Sequence, residues 1–122
     1  MSNPTRIFAT AAIVAFALTG QALAHAHLKS AVPAIDSTVA APPSFLDLTF
    51  SEDLNLKFSG VTITGPDKKV VPTVDPMLMD GNTTLMVTLS GKLGAGVYTV
   101  AWHALSADGH KTHGTYTFTV KP

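Results

Sequence analysis

From residue 45 to the end of the chain, apolar side chains recur at every second position, and this period of two dictates strands. FLDLTF sets Leu46, Leu48 and Phe50 against Asp47 and Thr49. GVTIT sets Val61 and Ile63 against Thr62 and Thr64, and TLMVTL sets Leu85, Val87 and Leu89 against Met86 and Thr88. GVYTVAWHAL puts Tyr98, Val100 and Trp102 on one face, and GTYTFTV does the same with Tyr116, Phe118 and Val120. Turn clusters separate the runs: AAPPS, TGPDKK, DGN, LGAG and ADGHKTHG. Residues 54–58 are ambiguous, and DSTVAAPP reads as a strand edge plus loop. Short strands at this spacing, with no helical period among them, predict an all-β fold, a small Greek-key β-barrel or sandwich of cupredoxin-like or Ig-like outline.

The first 24 residues follow another rule. Arg6 precedes an apolar run over residues 7–18, and Ala22-Leu23-Ala24 supplies the small side chains of a cleavage site, as in a secretory signal peptide. The run is shorter than the roughly 20 residues a membrane span needs. Residues 1–24 are therefore expected to be removed, leaving one domain over residues 25–122. Ala24-His25-Ala26 is a competing site that would leave His27 first. The remaining domain holds all the basic residues except Arg6 against eight acidic ones, so its charge offers nothing to nucleic acid or an anionic membrane. It has no cysteine, hence no disulfide and no thiolate ligand.

Four of the five histidines fall in two short segments, His25 with His27 and His110 with His113. A histidine at a free N-terminus can close a chelate ring through its α-amine and Nδ1, and both groups lose their protons near neutral pH. Such a pair suits Cu(II), which favours tetragonal N,O sites. Asp108 and His110, two apart across Gly109, can aim a carboxylate and an imidazole at the same ion. The competing reading of this stretch is a plain Asp-Gly turn with His110 and His113 as solvated loop residues. A second metal reading needs no fold: in His25-Ala26-His27 the amine, two deprotonated amides and the third-position imidazole can hold Cu(II) or Ni(II). His103, on the face opposite Trp102, reads as a surface residue. Met77, Met79 and Met86 carry soft thioethers that select Cu(I), but the expectation is that Met77 or Met79 packs a loop onto the barrel.

The stretches HAHLKSAVPAIDSTVAAPP, LTFSEDL, GAGVYTVAWHALSADGH and GTYTFTV together resemble the CopC-type periplasmic copper-binding proteins over the whole of residues 25–122. The resemblance implies a Greek-key β-barrel that holds Cu(II) in the periplasm for copper resistance or homeostasis, often beside an inner-membrane transporter of the CopD type. It implies metal ligands at His25, Asp108 and His110. His27 would be an additional or alternative ligand, and Glu52 of FSED an outer-shell acid. Some family members carry a loop of Met-x-x-Met spacings that holds Cu(I). TGPDKKVVP here has no methionine, so the chain resembles the Cu(II)-only type. Two other classes of function are open to the sequence. One is a secreted copper monooxygenase that uses an N-terminal histidine chelate, although the domain has few aromatic residues left over for a substrate platform. The other is a structural sandwich whose histidines are incidental.

Overall fold

In the computed structural model, which describes residues 26–122, the architecture is set by one long hairpin. β7 (Gly96–Leu105) and β8 (Lys111–Val120) pair in unbroken antiparallel register from Gly96 opposite Val120 to Leu105 opposite Lys111. Six further strands complete the fold: β1 (Leu28–Val32), β2 (Thr38–Val39), β3 (Phe45–Phe50), β4 (Gly60–Thr64), β5 (Met77–Met79) and β6 (Thr84–Thr88). They form two four-stranded sheets, β1-β3-β6-β5 and β2-β8-β7-β4. The chain changes sheet after β1, β2, β3, β4 and β6, so this is a Greek-key sandwich of the expected all-β class rather than an up-and-down barrel.

The period-two faces become the core. Leu46, Leu48 and Phe50 of β3, and Leu85 and Val87 of β6, are buried against Ile63, Val100, Phe118 and Val120 of the other sheet. Tyr98 and Phe118, register partners on β7 and β8, stack with ring centroids 5.4 Å apart, and Phe50 meets Trp102 edge-on at 5.1 Å. Trp102 lies directly over its register partner Gly114. A Cβ at residue 114 would stand 2.7 Å from the indole, so only glycine lets the ring settle there. DSTV supplies β2, which runs parallel to the end of β8. The ambiguous stretch forms an isolated bridge at Leu54, then a 3-10 turn over Leu56–Phe58.

One strand lies outside the sequence reading, and two details depart from it. β1 is a strand although LKSAV shows no alternation, because of its residues only Ala31 is buried. His113 belongs to β8 rather than to a loop, because the hairpin ladder continues to Leu105 and Lys111 and leaves only residues 106–110 to turn the chain. Met77 and Met79 do not pack a loop inward: they sit on β5, 54% and 38% exposed, and it is Leu78 between them that packs against the core.

Candidate metal centre

Residues 106–110, which join β7 to β8, are shaped from within. The Ser106 N–H donates to the His110 carbonyl at 2.9 Å, and the Gly109 N–H to the Ser106 carbonyl at 2.9 Å. Gly109 takes a φ of 95°, a left-handed conformation that a side chain would strain. Ser106 is 2% exposed, and its hydroxyl stands at the centre of the loop. It hydrogen-bonds the Asp108 carboxylate and accepts the His110 N–H at 3.2 Å. The same carboxylate oxygen, Oδ1, lies 3.1 Å from His110 Nδ1. The two side chains are about half exposed, 50% for His110 and 52% for Asp108. The Ser106 hydroxyl, then the imidazole of His110, hold the Asp108 carboxyl below the ordinary carboxylate range.

This arrangement gives the pair distinct chemistry. With Nδ1 turned to Asp108, the pair has the relation by which a carboxylate orients a metal-binding histidine. Asp108 Oδ1 serves Ser106 and His110, which leaves Oδ2 as the oxygen that could reach a metal.

The loop is tied to the start of the domain. Ser106 bridges Leu54, and the Ala107 N–H donates to the Asp53 carbonyl at 2.9 Å. Two residues earlier, Ser51 clasps His27: its hydroxyl accepts the His27 N–H at 2.8 Å, and its own N–H donates to the His27 carbonyl at 2.9 Å. Ser51, Glu52 and Asp53 on one side, with Ser106, Ala107 and Asp108 on the other, line a cleft of about 300 Å³. Glu52 thus shares a cleft with Asp108, and the exposed His27 stands next to it in the chain of contacts. His25 lies outside the described residues, as does the expected cleavage site after Ala24. Among the described residues no three His, Asp or Glu side chains converge on one point, so Asp108 and His110 form a two-donor half-site.

The peptide chelate of residues 25–27 meets an obstacle. It needs the amide nitrogens of Ala26 and His27 stripped of their protons and turned to one ion. Ala26 is fully buried, and the His27 N–H is held by Ser51. Those contacts must break before the tripeptide can wrap a metal.

Two organising residues escaped the sequence reading. Ser51 and Ser106 carry no metal-type donor, and their value appears only when the loop and the first strand meet. The signal was present in SADGH and FSED, where a serine sits one or two residues before an acid.

The CopC domain matches residues 28–121. This chain belongs to the CopC family. Among its relatives, Protein YobA of Escherichia coli (strain K12) is 41% identical over 115 residues, covering 93% of each chain. The crystal structure of PcoC, a methionine-rich copper resistance protein from Escherichia coli, superposes with a TM-score of 0.71 at 40% identity, covering 80% of this chain and 100% of that one. The crystal structure of CopC from Methylosinus trichosporium OB3b gives a TM-score of 0.72 at 31% identity, covering 80% of this chain and 95% of that one. None of these printed names is that of an enzyme. The CopC-domain match begins at Leu28 and ends at Lys121, so it takes in Glu52, Asp108 and His110 and stops short of His25 and His27.

Proposed function

We propose that this CopC-family chain is a periplasmic Cu(II)-binding protein, a carrier or buffer in copper resistance or homeostasis that performs no catalysis and supplies an inner-membrane transporter of the CopD type. Copper is its cargo. The observation that carries the reading is the Asp108–His110 pair, 3.1 Å apart, on a loop tied to the segment that clasps His27. His25, freed by cleavage after Ala24, would add an amine and an imidazole. His110 would bind through its imidazole, and Asp108 would offset the charge of the ion. His27 is an additional donor, and Glu52 an outer-shell acid. A mixed nitrogen and oxygen set of this kind suits Cu(II) better than Cu(I). The names of the relatives, copper resistance proteins among them, point to the same metal.

The test is a titration of the exported protein with one equivalent of Cu(II), followed by EPR. His110→Ala and Asp108→Ala should each weaken binding by about tenfold or more and change the spectrum, while His27→Ala should do less. Damage confined to His27→Ala would assign the metal to the peptide chelate. A wild-type spectrum that survives unchanged in urea would overturn a folded site.

A further inference from the structure

His103 and His113 have no part in the centre above, yet the hairpin brings them together. The unbroken β7–β8 register sets His103 directly opposite His113. Both are exposed, on the outer face of their sheet, while Ala104, Tyr116 and Phe118 of the same strands face the core. Directly opposed residues of an antiparallel pair have Cβ atoms roughly 4.5–5.5 Å apart. Two imidazoles so placed can close on one ion lying across the strands. Imidazole is a good ligand for copper, zinc and nickel.

We propose that His103 and His113 form a second metal site, a two-imidazole chelate for a divalent ion on the outer face of the β7–β8 hairpin, with water completing the coordination. Two features set its strength. The His103 ring rests over Gly60 of β4, where a Cβ would stand 3.1 Å from Cε1, so the ring must turn from β4 towards β8 to engage. An exposed side chain makes such a change within about nanoseconds, so the turn is no kinetic obstacle. Lys57 and Lys111 line the same shallow cleft as His103, and their charges oppose a cation. The site is therefore the weaker of the two, filled by the second equivalent of copper and loosened little by salt, which screens the lysines. The alternative partner for His113 is His27, since both line a cleft beside Trp102.

The experiment titrates the exported protein with Cu(II) past one equivalent and reads EPR and calorimetry. The wild type should show a second, weaker step. His103→Ala and His113→Ala should each weaken that step at least about tenfold and leave the first unchanged, and the double variant should be no weaker than either single one. His103→Gln keeps a polar cover over Gly60 and serves as the decisive variant if the alanine form fails to fold. His110→Ala should do the reverse, weakening the first step and sparing the second, so failure of this site and failure of the proposed function are distinguishable. Absence of a second step in the wild type would overturn the proposal. So would a second step indifferent to His103→Gln, or one lost in His27→Ala in its place.

Discussion

Ser106 shows how one neutral side chain can govern two charged ones. Its hydroxyl serves the Asp108 carboxylate and the His110 N–H together. Ser106→Ala should cost about 1 kcal/mol for the lost hydrogen bonding of a buried hydroxyl, measurable by urea denaturation, and should weaken Cu(II) binding as the loop loosens. The pH behaviour follows from the same contacts. Because the Asp108 carboxyl sits below its ordinary range, the folded state takes up that proton less readily than the unfolded chain. Its contribution to stability is present above the ordinary carboxylate range and is lost as pH falls through the depressed value. Asp108 therefore stays anionic to a lower pH than an ordinary carboxyl would. Protons compete with copper for the nitrogen donors, so copper should be released as pH falls. Visible absorbance against pH checks this, and full retention of copper at roughly pH 3, below the ordinary carboxylate range, would contradict the proposed ligands.

At the scale of elements, the hairpin depends on the fit of Trp102 over Gly114. Gly114→Ala puts a methyl within 2.9 Å of two indole atoms. Overpacking of this kind costs typically about 1–3 kcal/mol. Since Trp102 is the only tryptophan, its fluorescence reports the displacement directly, and Trp102→Phe in the same chain should recover part of the stability. This contact also marks where the sequence was readable. β3, β6, β7 and β8 were legible because each buries alternate large side chains, from Leu46 to Val120. β1 and β5 were not. LKSAV contributes mainly a backbone ladder to β3, and in MLM all three residues are apolar, so the sequence hides that Leu78 alone turns inward. The acid and imidazole of the loop could be read from their spacing; the serine two residues before the acid was visible in SADGH, but its role was not, because that role depends on a turn whose closure needs the whole hairpin. His113 was misassigned for the same reason: ADGHKTHG has turn residues throughout, but the ladder with β7 reaches Lys111.

Across the whole molecule, the proposed centre joins the beginning of the domain to its last hairpin. His27 is held by Ser51, the residues after Ser51 are held by the 106–110 loop, and Asp108 and His110 belong to that loop. An ion bound by His25 at one end and by His110 at the other would close this circuit, and unfolding would have to open it. A ligand that binds only the native state stabilises it by an amount that grows with its concentration over Kd, about 2.7 kcal/mol at a hundredfold excess. The Tm of the exported protein should therefore rise with Cu(II), with a much smaller rise in His110→Ala. A chain that keeps an initiator methionine before His25 separates the two halves of the circuit. Its loop is intact, so the metal-free Tm should match that of the exported form. Its α-amine now belongs to methionine, so the five-atom reach from amine to imidazole is gone, and Cu(II) should raise Tm far less. Equal copper-dependent shifts in the two forms would show that the N-terminal amine contributes nothing, and the centre would then have to be built from imidazoles and Asp108 without it.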